Sequence, residues 1–213
     1  MFDTLQHALH LPQHYAPSVL LTKALWCVGA FIIGGIPFGY LIPKLFFNIN
    51  ILEHGSGNTG GTNVWRVCGK VAGAATYLLD FLKAFVPVSL YMAWYPESYY
   101  LHILLGLAII IGHSKSVFLN WQGGKSAMSS LGAVVALCPQ AGIVCALLAL
   151  TLILTTRIVS VGSMITGSLV WLVFWYFQAP MPYVAYAIFL GLFILVRHKA
   201  NIQRLLQGTE NRF

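Results

Sequence analysis

The stretch Gly55-Ser56-Gly57-Asn58-Thr59-Gly60-Gly61-Thr62-Asn63-Val64-Trp65-Arg66 sets four glycines and five small polar side chains between apolar flanks and closes on an arginine. A backbone so rich in glycine can curl into a concave row of N–H donors, which suits a phosphate. The same composition also describes a flexible turn joining two helices, and the stretch alone does not choose between them. Three further clusters carry related chemistry. Gly112-His113-Ser114-Lys115 is followed by Gln122-Gly123-Gly124-Lys125-Ser126, at the head of an apolar run containing Ser129 and Ser130. Two glycines and a lysine at a helix N-terminus favour an anion. The first glycine of a Walker A loop is missing and no strand precedes it, and Lys125 also reads as an ordinary cation flanking a membrane span. Thr156-Arg157-Ile158-Val159-Ser160-Val161-Gly162-Ser163 puts an arginine beside hydroxyls at a helix start, fit to hold an oxyanion or to cap the helix, with capping the simpler reading of Ser160. Arg197-His198-Lys199-Ala200-Asn201 places His198 and Asn201 three apart, where both can meet one ligand; a basic tail lying on lipid headgroups has the same pattern.

Cations, glycine-rich donors and few acids point to one or two bound anions, most naturally phosphates. No Ser/His/Asp order, paired carboxylates or metal-ligand set occurs, so neither a metal nor a cofactor is implied. Catalysis would then rest on positioning and oxyanion stabilisation, with His198 assisting proton transfer.

The elements that hold these clusters must be membrane helices. Of 213 residues, 58% are hydrophobic and 8% charged, and mean hydropathy is +0.78. The apolar runs suit helices of about 20 residues and lack strand alternation, so the fold class is an all-α integral membrane protein. Spans are expected at 19–45, 70–95, 99–119, 126–137, 139–155, 160–178 and 182–197, a seven-helix bundle whose fourth helix is short or partial. Residues 1–213 then form a single membrane domain, with an interfacial segment at 1–17 and a cytoplasmic tail at 198–213. His7, His10 and His14 lie in that first segment, which lacks the basic n-region of a cleaved signal peptide. Seven spans gather 46–69, 112–126, 155–160 and the tail on one face. Ten of the twelve Lys and Arg belong there, which makes that face cytoplasmic and places the N-terminus in the periplasm. The net charge of +7 is thereby explained without nucleic acid. Asp80 and Lys83, three apart inside the second span, read as a structural ion pair facing the bundle interior. Gly34-Gly35-Ile36-Pro37-Phe38-Gly39 is expected to kink the first helix.

The loop with Gly60 and Thr62-Asn63, the Gly112-His113 and Gly123-Gly124-Lys125 pair, Thr156-Arg157 with Ser160 and Ser163, the segment Leu79 to Lys83 and the tail from Arg197 to Glu210 resemble, in order and spacing, the bacterial PlsY family of acyl-phosphate:glycerol-3-phosphate acyltransferases. The resemblance covers about residues 30 to 213. It implies a seven-helix inner-membrane enzyme that moves an acyl chain from acyl phosphate to the sn-1 hydroxyl of glycerol 3-phosphate, with lysophosphatidic acid and phosphate as products. It also implies that Ser56, Arg66, Lys125, Ser163, His198 and Asn201 surround the glycerol 3-phosphate end. Gly57, Asn58, Gly60, Thr62 and Asn63 would hold the acyl-phosphate head, with Gly123, Gly124 and Arg157 as further substrate contacts. The sequence departs from the family pattern at Gly35, Thr59, Gly61, Gln122, Ser126 and Ser129. Ser126 replaces a glycine where the backbone is expected to approach a ligand or take a positive φ. A phosphate-ester transporter, whose broken helices also aim N-termini at anions, and a catalytically impaired paralogue are the competing classes.

Overall fold

A computed structural model describes residues 17–212, all of them in helices or their connections; the histidines at 7, 10 and 14 lie outside the described residues. The helices are α1 (Pro17–Gly35), α2 (Phe38–Phe47), α3 (Gly61–Cys68), α4 (Lys70–Trp94), α5 (Tyr99–Ser114), α6 (Ala127–Leu137), α7 (Pro139–Thr156), α8 (Val159–Tyr176), α9 (Met181–Arg197) and α10 (Lys199–Leu206). Each expected span falls on a helix. By length and apolarity α4, α7 and α8 can cross a membrane alone, the bent pairs α1–α2 and α9–α10 bring the number to five, and α5 and α6 are shorter apolar helices.

The chain bends by 41° between α1 and α2. Pro37 has no N–H to continue the ladder, and the carbonyls exposed there need donors from elsewhere. Ser116 Oγ donates to the Gly35 carbonyl at 2.6 Å and Lys83 Nζ to the Ile36 carbonyl at 2.9 Å. Lys83 Nζ also stands 2.7 Å from Asp80 Oδ1, so the expected ion pair is present, and through Lys83 it props the broken helix from inside the bundle. α1 crosses α5 closely because Gly34 lies against the Ile109 backbone and Gly112 against the Phe31 carbonyl, where a Cβ would collide.

Two elements differ from expectation. α5 stops at Ser114 rather than 119, because Ser116 accepts from the Phe118 N–H through its hydroxyl and pairs with Gln122, turning the chain through a 3-10 segment at Val117–Leu119. The segment 46–69, expected as loop, contains α3, whose Val64 packs with Ile51 and Ala72. The main core joins α4, α5, α6, α8 and α9 through residues such as Val88, Leu105, Ile109, Val134, Phe174 and Leu190.

Candidate active site

Glycine φ values of +59° at Gly55 and +65° at Gly57 turn the chain between α2 and α3, and a buried asparagine fixes the shape of that turn. Asn63 Oδ1 accepts from the Ser56 N–H at 2.9 Å, while its Nδ2 donates to the carbonyls of His54 and Asn58, each at 3.0 Å. The Asn63 amide is thus committed within the loop, and what it offers a ligand is the loop's outline. Asn58 Oδ1 accepts from the Gly60 N–H at 2.9 Å, and the Thr62 hydroxyl meets Tyr77 OH at 2.7 Å.

The second glycine cluster is held from two sides. Gly124 N–H donates to the His113 carbonyl at 3.1 Å, and Arg197 donates to the Gly124 carbonyl at 3.0 Å. Gly123 and Gly124 therefore serve the loop, not the cavity wall, and it is Lys125 that reaches the cavity. Ser126 sits in the left-handed region at φ 64°, where glycine is favoured, with its hydroxyl donating to the Ile110 carbonyl at 2.9 Å. The departure at 126 keeps the conformation and adds a hydrogen bond.

Ser56, Asn58, Gly60, Thr62, Asn63, Arg66, Lys125, Ser163, His198 and Asn201 all line one cavity of about 450 Å³. Gly57 is exposed in the loop and does not line the cavity, and Arg157 is exposed as the left-handed cap of α7 and does not reach the wall. Lys125 Nζ donates to Asn201 Oδ1 at 2.5 Å. Burial, with the nearby guanidinium of Arg204, lowers the Lys125 ammonium to about 8. His198 Nδ1 lies 2.8 Å from the Ile194 carbonyl. A carbonyl only accepts, so Nδ1 carries the proton and Nε2 keeps a lone pair. Burial lowers this imidazole to about 4, so it is neutral at pH 7.

Sequence reasoning passed over Glu210. The tail returns after α10, and the Glu210 carboxylate accepts from Ser160 Oγ at 2.8 Å, Asn201 Nδ2 at 2.5 Å and Arg204 Nε at 2.7 Å. Burial opposes its charge, but these donors together hold its carboxyl below the usual carboxylate range. Its acidity among so many cations was the available signal. Arg66 reaches the same tail through the Asn211 carbonyl at 3.4 Å. Away from this mouth the cavity runs between α6, α7, α8 and α9 past Leu131, Val134, Ala149, Ile153, Val170 and Leu190, and its wall there is hydrocarbon.

A sequence model described as glycerol-3-phosphate acyltransferase matches residues 24–208. The chain belongs to the glycerol-3-phosphate acyltransferase family. It is 41% identical over 202 residues to a glycerol-3-phosphate acyltransferase of Rippkaea orientalis, covering 88% of this chain and 91% of that one. It is 39% identical over 192 residues to that of Thermosynechococcus vestitus, covering 86% and 91%. Among solved structures it resembles PlsY, an integral membrane glycerol 3-phosphate acyltransferase, in its glycerol 3-phosphate form, with TM-score 0.86, 35% identity and 90% and 96% of the two chains covered. The lysophosphatidic acid form superposes with TM-score 0.83 at 34% identity. With long apolar helices of its own, this glycerol-3-phosphate acyltransferase family member is a multi-pass membrane protein.

Proposed function

We propose that the protein transfers a fatty acyl group from acyl phosphate to the sn-1 hydroxyl of glycerol 3-phosphate, releasing lysophosphatidic acid and phosphate. The observation that carries this reading is the two-ended cavity: Arg66, Lys125 and Asn201 at the mouth suit a phosphate, and the hydrocarbon wall suits an acyl chain. In the reaction the sn-1 oxygen bonds to the acyl carbon, the carbonyl electron pair moves onto its oxygen, and as that pair returns the bond from the acyl carbon to the phosphate oxygen breaks. The phosphate leaves with the electron pair, and the hydroxyl proton passes by way of His198 Nε2 to the departing phosphate. Arg66 and Lys125 offset the phosphate charge, Ser56 and Asn201 orient glycerol 3-phosphate, and Ser163 lies between the mouth and the acyl wall. The loop from Gly57 to Asn63 faces the acyl-phosphate head.

The chain crosses the inner membrane seven times as one domain, with α6 as the short crossing, the N-terminus periplasmic and the tail of residues 198–213 cytoplasmic. The cation distribution supports this orientation. Ser126 argues against an impaired paralogue, since the loop keeps its left-handed geometry with the hydroxyl bonded. Purified protein supplied with acyl phosphate and glycerol 3-phosphate is expected to form lysophosphatidic acid and phosphate in equal amounts. Binding of both substrates by folded protein without product would overturn the reading in favour of a carrier or a regulator.

A further inference from the structure

α3 lies against α4 through two reciprocal contacts. A Cβ on Gly61 would stand 2.5 Å from the Tyr77 ring, and one on Gly73 would stand 2.5 Å from Trp65 Cβ. Residues 61 and 65 are one turn apart on α3, as 73 and 77 are on α4, so the helices run antiparallel and each glycine receives the other helix's aromatic side chain. The Tyr77 ring is thereby wedged at the start of α3, where Tyr77 and Thr62 both line the cavity.

The two hydroxyls hold each other at 2.7 Å. That bond uses one of their two hydrogens. A phenol O–H is the stronger donor and an aliphatic hydroxyl the stronger acceptor, so Tyr77 donates and the Thr62 hydrogen is left over. Serine and threonine inside a helix usually return that hydrogen to a carbonyl one turn back, as Thr76 Oγ1 does to Ala72 at 2.9 Å and Ser163 Oγ to Val159 at 3.1 Å. Thr62 sits in the first turn of α3 with no carbonyl of its own helix a turn behind, and among the described residues its hydroxyl has Tyr77 as its one hydrogen-bond partner. Arg66 follows four residues later and lines the same cavity, so a spare donor and a cation share one face of α3. A phosphoryl group takes both.

We infer that Tyr77 is a positioning residue for acyl phosphate: it holds the Thr62 oxygen so that the Thr62 hydrogen bonds a phosphoryl oxygen beside Arg66. The inference rests on the acyl-transfer reading, in which the loop from Gly57 to Asn63 faces that head. Both hydroxyls keep their protons throughout the reaction. Phosphoryl oxygens carry charge before and after the acyl carbon leaves, so the bond is felt in the binding of the donor. Linked O–H groups polarise one another, and the phenol therefore strengthens the bond that the threonine makes.

The test titrates the full-length purified protein with a palmitoyl phosphonate, in which a methylene replaces the bridging oxygen of acyl phosphate, and separately with glycerol 3-phosphate. Thr62→Val is expected to weaken phosphonate binding at least about tenfold, the lower end for a hydrogen bond to a charged group, and Tyr77→Phe about three- to tenfold. The double variant should match Thr62→Val within about twofold, because the phenol acts only through that hydroxyl. Glycerol 3-phosphate affinity should hold in all three, and kcat/KM for palmitoyl phosphate should follow the phosphonate. Thr62→Ser keeps the hydroxyl and should retain most of the affinity, a contrast that decides the matter even where Thr62→Val folds poorly. Either single variant within about twofold of the wild type, losses that multiply in the double variant, or an equal weakening of glycerol 3-phosphate would overturn the inference. Wild-type protein that forms no lysophosphatidic acid would instead sink the acyl-transfer reading itself.

Discussion

Two buried histidines at opposite ends of the bundle have opposite fates. His102, at the end of the bundle bordered by the α4–α5 turn, is fully buried with both ring nitrogens occupied: Nδ1 stands 2.6 Å from Tyr183 OH and Nε2 2.9 Å from the Tyr95 carbonyl. Tyr91, Tyr99 and Tyr183 pack their rings around it. His198 is 3% exposed, yet only Nδ1 is tied down, to its own helix. Burial alone therefore says little about function. A side chain becomes available for chemistry when the fold leaves one of its valences free beside a cavity, and His198 meets that condition where His102 does not.

That contrast can be attacked directly. The largest effect is expected from Lys125→Ala, which removes a cation at the mouth: turnover should fall by roughly 10²–10³-fold, the cost of losing one electrostatic donor, with the melting temperature nearly unchanged. Next come the histidines as a pair. His198→Gln should lower kcat by roughly 10²-fold, the lower end of general-base contributions, and leave stability intact. His102→Gln should do the reverse, retaining turnover while destabilising by about 1–3 kcal/mol through its unpaired neighbours, as thermal unfolding in detergent would read. Equal losses of activity in both would erase the distinction.

A smaller effect concerns pH. Lys125 is charged only below its own pKa, and burial brings that to about 8, so kcat/KM should fall as pH rises through that value. In the proposed reaction His198 takes the proton as a neutral imidazole, so the acid side should hold until that imidazole is protonated at about 4. Lys125→Arg should carry the alkaline limb upward, because a guanidinium stays protonated there; a limb that does not move would assign it to another group. The smallest effect is expected from Ser126→Gly. Relief of a left-handed serine, about 1–2 kcal/mol, is offset by loss of the Ile110 hydrogen bond, about 1 kcal/mol, and by the greater freedom of glycine in the unfolded chain, so stability should change by under about 1 kcal/mol in either direction.

Much of this was legible in the residues themselves. A charge is costly inside apolar sequence, so Asp80, Lys83, Lys125 and Arg66 stand out, and the long apolar segments locate the helices. The break at Pro37 was legible too, but not its support, because the donors that cap it, Lys83 and Ser116, come from distant segments that only tertiary packing brings there. α3 escaped notice because an eight-residue helix is too short for a periodic signal. Glycines at 123 and 124 suggested N–H groups for an anion; the Gly124 N–H instead meets the His113 carbonyl, and Arg197 holds the carbonyl side of that loop, a pairing across more than seventy residues that no local pattern encodes. The return of Glu210 onto Ser160, Asn201 and Arg204 is hidden for the same reason.

The central claim is that one cavity receives a phosphate at one end and a hydrocarbon chain at the other. A structure of this protein with lysophosphatidic acid bound tests it most directly. The account places the phosphate within hydrogen-bonding reach of Arg66, Lys125 and Asn201 and the chain along Val134 and Val170. A phosphate bound away from those three side chains, or a chain lying on the outer surface of the bundle, would contradict it.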